Sequence, residues 1–202
     1  TVLLGKDDGT VGMWDVKTDI EIRQFRGHTG SINRVAFSPD GKFILTASAD
    51  RTARLWNVAT AKGLRRFIGH AENIWSVAFS PDGKYVFTGP NDGTVRKWDR
   101  QSGQELQRYT DTQEISPMAV SPDGKFLIIG NITGEARLWK INPAPKLPIF
   151  KSTGIVNSVA FSPDGEYVLT GDSNGVVRLW DAGTGEKLRD FIGHTAFIED
   201  GV

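Results

Sequence analysis

Residues 32–48 read INRVAFSPDGKFILTAS, and the tetrapeptide SPDG at 38–41 is the segment that decides the fold. The same four residues recur at intervals of 41 or 42, beginning at Ser80, Ser121 and Ser162. Tryptophan follows the same interval and stands at Trp14, Trp56, Trp98, Trp139 and Trp180. A repeat of this length indicates a chain built from one supersecondary unit that is copied several times.

Each copy contains short runs rich in Val, Ile, Phe, Thr and Trp, separated by Gly, Asp and Pro, which is typical of strands. In the copy quoted above the runs are 32–37, 43–48, 52–58 and 63–67, and we name these strands a, b, c and d. In SPDG, proline presets φ, aspartate can bond back to the backbone and glycine supplies a positive φ. Strands a and b are therefore predicted to form a tight hairpin.

A single four-stranded sheet of this kind leaves both of its apolar faces uncovered. Radial stacking of several sheets buries those faces against neighbours, which is the β-propeller arrangement. We therefore predict an all-β chain, a β-propeller of four-stranded antiparallel blades. Four blades are complete, and a fifth is closed by or split between the termini. The predicted blades are 1–26 plus 193–202, 27–68, 69–109, 110–150 and 151–192.

Two interpretations of this blade count stay open. The tail 193–202 could supply the missing strand a of the first blade and close a five-bladed ring, although Gly201 stands where a strand valine is expected. Alternatively, the chain is a fragment of a larger propeller.

Composition excludes several classes of function. The 24 Lys and Arg residues balance 24 Asp and Glu residues, so the dense positive surface that nucleic acid requires is not expected. No apolar run approaches the length of a membrane span, so no membrane partner is expected. The chain has no cysteine, which excludes disulfides and thiolate zinc sites and favours a reducing, cytoplasmic location.

The repeats resemble the WD-repeat family of β-propellers over essentially the whole chain. Gly-His pairs precede strand a at Gly27, Gly69 and Gly193, and Trp-Asp closes strand c at Trp14, Trp98 and Trp180. Each dipeptide alone is a weak signal. In register with SPDG, they are a strong one.

The resemblance implies a structural tetrad, a buried hydrogen-bond chain from Trp to Thr to His to Asp. One set is His28, Thr46, Asp50 and Trp56; a second is His70, Thr88, Asp92 and Trp98. The last complete copy keeps Thr170 and Trp180 but has Ser152 for histidine and Asn174 for aspartate. Every histidine belongs to a Gly-His pair, so we expect no metal site, no cofactor and no catalytic residue.

The resemblance also implies a noncatalytic scaffold that binds proteins or peptides through loops on one face of the propeller. An alternative is a ligand- or glycan-binding propeller, which would need near-equivalent pockets in each blade. A fragment of a larger propeller could instead serve as a sensor or regulatory module of a multidomain signalling protein. An enzyme would need a cluster of acid and base residues that the structural tetrads do not explain.

The resemblance implies partner-binding residues at the start of strand a and just before the aspartate of the turn from b to c. Trp75 is the candidate hot spot, because it is the only tryptophan outside the 41–42 interval and exposed tryptophans dominate many interfaces. A packing role under a loop is the alternative. The other candidates are Ser31, Asn33, Asn73, Asn91, Asn157 and Ser173, with Ala49, Glu114, Ser116, Ile132 and Ile155 at matching positions.

Overall fold

A computed structural model describes residues 1–110, 115–141 and 147–194. Within these ranges the chain forms nineteen β-strands and no helix, so the predicted all-β class is confirmed. The chain divides into two compact units, Thr1–Thr110 and Asp111–Val202. Each is built from antiparallel sheets whose strands follow one another in chain order.

The first unit contains three sheets in its described residues. The first sheet has three strands and the other two have four each. The strands are β1 (Val2–Gly5), β2 (Val11–Asp15) and β3 (Ile20–Phe25); β4 (Ile32–Phe37), β5 (Phe43–Ser48), β6 (Ala53–Asn57) and β7 (Gly63–Phe67); and β8 (Ile74–Phe79), β9 (Tyr85–Pro90), β10 (Thr94–Asp99) and β11 (Glu105–Thr110).

The second unit contains two sheets of four strands in its described residues. The strands are β12 (Ile115–Val120), β13 (Phe126–Asn131), β14 (Glu135–Lys140) and β15 (Ile149–Lys151); and β16 (Val156–Phe161), β17 (Tyr167–Asp172), β18 (Val176–Asp181) and β19 (Lys187–Ile192). The short β15 follows Pro148, which has no N–H to donate to a sheet.

In the quoted copy, most strand boundaries agree closely with the prediction. Strands a, b and d of the quoted copy coincide with β4, β5 and β7, and strand c is two residues shorter than the predicted run 52–58. The strand a predicted for the first sheet falls largely on 195–202, outside the described residues. Closure of a five-bladed ring therefore stays a prediction.

The SPDG turn joins strands a and b through its own side chains. The Ser38 hydroxyl donates to Asp40 at 2.6 Å and accepts the Phe43 backbone N–H at 2.9 Å. Gly41 has a φ of 67°, a left-handed conformation that a side chain disfavours. The other three SPDG turns repeat the serine–aspartate bond, which explains why these four residues recur as a block.

Each unit buries its core between neighbouring sheets. In the first unit, Leu45, Leu55 and Phe67 of one sheet pack with Ile74 and Trp98 of the next. The second unit repeats this packing with Ile128, Leu138, Phe150, Val156 and Trp180. Strand a of one sheet lies against the preceding sheet, and this stacking fixes the relative position of the turns at the sheet ends.

Candidate functional site

The sheet of β4–β7 holds a complete hydrogen-bonded tetrad. Trp56 Nε1 donates to the Thr46 hydroxyl at 3.0 Å, and that oxygen lies 2.7 Å from His28 Nε2. The other ring nitrogen, Nδ1, lies 2.8 Å from the Asp50 carboxylate. When the neutral imidazole carries its proton on Nδ1, Thr46 donates to Nε2 and His28 donates to Asp50.

Burial sets the protonation states of this tetrad. It lowers the pKa of His28, and this effect outweighs the hydrogen bond and charge of Asp50. Burial also opposes ionisation of Asp50, but hydrogen bonds from Thr52, His28 and the Thr29 N–H lower the pKa of Asp50 to about 2. The side chain of His28 is 0% exposed. The imidazole is therefore shielded from solvent, and its hydrogen bonds to Thr46 and Asp50 hold the sheet together.

The sheet of β8–β11 holds the second tetrad with one longer contact. Trp98 Nε1 donates to Thr88 at 2.9 Å, and His70 Nε2 lies 2.6 Å from the same hydroxyl. His70 Nδ1 is 3.5 Å from the Asp92 carboxylate, too far for a strong hydrogen bond. Burial and the nearby Arg96 cation lower the pKa of His70 to about 4, against the opposing charge of Asp92.

The glycine of the Gly-His pair leaves room for an arginine on strand c. A Cβ atom on Gly27 would lie 2.6 Å from Arg54 Nη1, closer than two such atoms can approach. In the next sheet, Arg96 occupies the matching place and donates to the Gly69 carbonyl at 2.7 Å. The Gly-His pair therefore has two structural roles, one for each residue.

We expect the buried His70 to make stability depend on pH. Its folded-state pKa of about 4 lies below the ordinary value near 6.5, so the unfolded chain binds more protons between these values. Its contribution is complete above pH 6.5 and is lost as the pH falls toward 4, a decrease of up to about 3 kcal/mol. Urea unfolding measured across this range should show the decrease.

The His70→Gln variant should lose this part of the pH dependence even though it unfolds more easily overall. The matched control is His194→Gln, because the imidazole of His194 is exposed. The control should keep the slope of the unmodified chain. An unchanged slope in His70→Gln would contradict the assignment.

The last sheet, β16–β19, has an ion pair where the sheets β4–β7 and β8–β11 have a histidine. Trp180 Nε1 still donates to Thr170 at 3.0 Å. Arg178 donates to the Asp172 carboxylate, and Ser152 donates to the same carboxylate at 2.7 Å. Burial opposes ionisation of Asp172, but these hydrogen bonds lower its pKa to about 2.

Asp172 and Arg178 were not predicted from the sequence. Asn174 was predicted to stand at the aspartate position of the tetrad, but its side-chain amide donates to the Thr153 hydroxyl at 3.4 Å. Arginine recurs two residues before the strand c tryptophan in several copies, so it carries little signal by itself. The available signal was an aspartate at the end of strand b in the copy that lacks both histidine and the turn aspartate.

In the first unit, the expected binding residues lie where strand b ends and strand a begins. The pairing of β4 with β5 skips Asn33, and the pairing of β8 with β9 skips Trp75, so each of these residues is the extra one of a β-bulge. A bulge redirects the side chain of its extra residue and is common beside functional sites. In β8, Ile74 and Ser76 are buried on either side of Trp75, which is 41% exposed.

The remaining candidates of the first unit differ in their accessibility. Asn91 is exposed, whereas Ser31 and Asn73 are half-buried. The amide of the half-buried Asn33 donates to the Ile74 carbonyl at 2.9 Å, which connects two neighbouring sheets. Asn33 therefore has a structural bond, and Trp75 and Asn91 are the more accessible candidates.

The second unit repeats the bulge with a different residue. The pairing of β16 with β17 skips Asn157, which is half-buried. The hydroxyl of Ser173 accepts the Ile155 backbone N–H at 3.0 Å, and Ile155 and Ile132 are exposed. Glu114 and the side chain of Ser116 lie outside the described residues.

The described residues offer no alternative metal centre. Across 1–110, 115–141 and 147–194, no group of three or more His, Cys, Asp or Glu side chains could hold a metal ion. The same residues contain no helix long and apolar enough to cross a membrane.

Comparisons with known proteins identify the repeat. The family model described as "WD domain, G-beta repeat" matches residues 20–57, 61–99 and 146–181, together more than half of the chain. WD repeat-containing protein 36 of Homo sapiens is 42% identical over 45 residues, which are 22% of this chain and 5% of that protein.

Two further relatives match over similarly short segments. Eukaryotic translation initiation factor 3 subunit I of Culex quinquefasciatus is 38% identical over 48 residues, 24% of this chain and 15% of that protein. Pre-mRNA-processing factor 19 homolog 2 of Arabidopsis thaliana is 39% identical over 44 residues, 22% of this chain and 8% of that protein. Each match therefore spans a small part of the relative's own length.

Proposed function

This chain belongs to the WD-repeat family, and on that premise we propose that it is a noncatalytic scaffold that binds protein or peptide partners through the turns at one end of its sheets. The family is in general one of protein-interaction scaffolds. The relatives' names place two of them in translation initiation and pre-mRNA processing. A partner of that kind is not implied for this chain.

The observation that carries the proposal is the exposed Trp75 at a β-bulge. Buried tryptophans of the repeat donate their indole N–H within a sheet, as Trp56 and Trp98 do. Trp75 is 41% exposed and lies between two buried residues of the same strand. A large aromatic surface held on a rigid sheet loses little conformational entropy when it is covered, so it can contribute strongly to binding.

The differences between sheets favour a protein partner over a repeated small ligand. The bulges of β4, β8 and β16 hold Asn33, Trp75 and Asn157, so one sheet presents an indole where the other two present an amide. A glycan reader with one pocket per blade would need similar side chains there. A single partner that covers several unlike turns requires no such similarity.

Replacing Trp75 with alanine tests this proposal. The side chain already contacts solvent, so we expect the free energy of unfolding to change by less than about 1 kcal/mol. Peptides selected by the unmodified chain from a randomised phage-displayed library should bind the variant about thirtyfold more weakly or worse, as expected for a hot spot. Binding is measured by fluorescence anisotropy and stability by urea unfolding.

The matched control is Leu106→Ala, which removes a side chain that is 48% exposed on the outer strand β11 of the same sheet. It should leave both binding and stability nearly unchanged. If Trp75→Ala keeps its affinity while losing several kcal/mol of stability, Trp75 is a packing residue and the proposed face is wrong.

A further inference from the structure

We propose that Arg51 and Trp75 together recognise a peptide segment that carries one aspartate or glutamate next to an apolar side chain. This inference rests on the proposed function and adds the chemistry of the partner. The carboxylate would pair with the Arg51 guanidinium, and the apolar side chain would lie on the Trp75 indole.

Arg51 stands at a backbone position that favours glycine. Its φ is 66°, in the left-handed region. The matching turns from strand b to strand c place glycine there, with φ values of 80° at Gly9, 77° at Gly93, 84° at Gly134 and 74° at Gly175. A side chain in this conformation is strained, so the arginine does not improve the turn in which it lies.

The guanidinium of Arg51 is available to a partner. The residue is exposed, and no carboxylate of the described residues pairs with it. Arg96 on β10 of the same unit behaves differently, because it is buried and bonded to Glu105 at 2.9 Å. Arg51 has no comparable contact that would explain an arginine at this turn. A planar guanidinium with free donors is well suited to bidentate binding of a carboxylate.

Neighbouring contacts place Arg51 and Trp75 at the same end of adjacent sheets. Strand β8 packs against both β4 and β5. Asn33 donates to the carbonyl of Ile74, directly before Trp75. Its neighbour Ile32 pairs with Ser48, and the Ser48 carbonyl accepts the Arg51 backbone N–H at 3.2 Å. These contacts therefore connect the turn that holds Arg51 to the strand that holds the exposed Trp75.

Acidic side chains at this end favour a partner with a single carboxylate. Asp50 and Asp92 face His28 and His70 within the tetrads. Glu72 is exposed in the loop that precedes β8 and would repel a second acidic side chain. A single acidic residue beside an apolar one fits Arg51, Trp75 and Glu72 together, whereas a run of acidic residues does not.

The test compares peptides selected from the randomised library by the unmodified chain and by Arg51→Gly. We expect the first set to be enriched in one Asp or Glu beside an apolar residue and the second set to lose the acidic preference. A synthetic peptide of the enriched sequence should bind Arg51→Gly about tenfold more weakly or worse. Its Asp→Asn or Glu→Gln version should bind both chains equally weakly.

Stability provides an independent readout. Because glycine relieves the left-handed strain, Arg51→Gly should unfold at the same temperature as the unmodified chain or at a higher one. Arg51→Lys should keep part of the affinity for the peptide, since lysine keeps the positive charge but cannot bind a carboxylate in the bidentate way of a planar guanidinium. Arg189→Gln, a change of an exposed arginine on β19, should leave peptide binding unchanged.

The outcomes separate this inference from the function on which it rests. Selected peptides that depend on Trp75 but show no acidic preference, or bind Arg51→Gly equally well, overturn the inference and leave the scaffold function standing. A library that yields no Trp75-dependent peptide overturns both. Selected peptides enriched in lysine or arginine would also overturn the inference, because the acidic Glu72, and not Arg51, would then be the charged group that contacts the peptide.

Discussion

Replacing Arg178 with methionine is expected to lower the free energy of unfolding of the second unit by about 3–5 kcal/mol. The side chain of Asp172 is 0% exposed and that of Arg178 is 7% exposed. Without the guanidinium, the carboxylate keeps the Ser152 hydroxyl but loses the cation that balances its charge. A buried charge without its partner is one of the few single changes that cost this much.

Two further variants distinguish charge from packing. The double variant Asp172→Asn/Arg178→Met removes both charges, and an asparagine oxygen can still accept the Val176 and Asn174 backbone N–H groups. It should recover most of the lost stability. If the double variant is as unstable as the single one, packing of the arginine stem, and not the unpaired carboxylate, causes the loss.

The corresponding change in the neighbouring sheet supplies the control. Arg137 is also on strand c, but its side chain is 33% exposed and its partner Glu135 is 22% exposed. Because solvent screens that pair, Arg137→Met should cost about 1 kcal/mol or less. Urea unfolding followed by tryptophan fluorescence measures all three variants.

The sequence predicted the repeating part of the structure well because each repeated feature has a local physical cause. The serine–aspartate hydrogen bond of SPDG and the left-handed glycine lie within four residues, so the turn could be predicted from this short segment alone. Strand b of the quoted copy, for example, begins and ends at the predicted residues, Phe43 and Ser48. The tetrads followed from the family resemblance, which supplied the long-range pairing that spacing alone does not give.

The parts that escaped prediction are those where one copy differs from the others. Asp172 and Arg178 form their pair across strands β17 and β18, and neither run by itself distinguishes a buried ion pair from two surface charges. The signal was the comparison between copies, because only this one combines a strand b aspartate with the loss of histidine and of the turn aspartate. Arg51 could have been found, because it replaces the glycine of the Asp-Gly turns. The exposure of Trp75 required the structure, since a bulge is a property of strand pairing and leaves no fixed signal in the sequence.

Replacing Thr46 with valine is expected to destabilise the first unit by roughly 2–6 kcal/mol, although valine has nearly the same shape. The Thr46 hydroxyl accepts the Trp56 indole N–H and lies within hydrogen-bond distance of His28 Nε2. Valine leaves two buried polar groups without a partner, and each such group costs about 1–3 kcal/mol. The core volume stays the same, so the loss measures the hydrogen bonds.

Thr170→Val is the matched control because Thr170 is 1% exposed and also accepts a tryptophan N–H, that of Trp180 at 3.0 Å. No histidine contacts this hydroxyl in the described residues, since Ser152 stands at the histidine position. Only one buried group loses its partner, so the cost should be about half that of Thr46→Val. If the two variants lose equal amounts of unfolding free energy in chemical denaturation, the His28 imidazole does not contribute to the stability of the tetrad. If Thr46→Val loses more unfolding free energy than Thr170→Val, the complete hydrogen-bonded tetrad stabilises its sheet in addition to the apolar core.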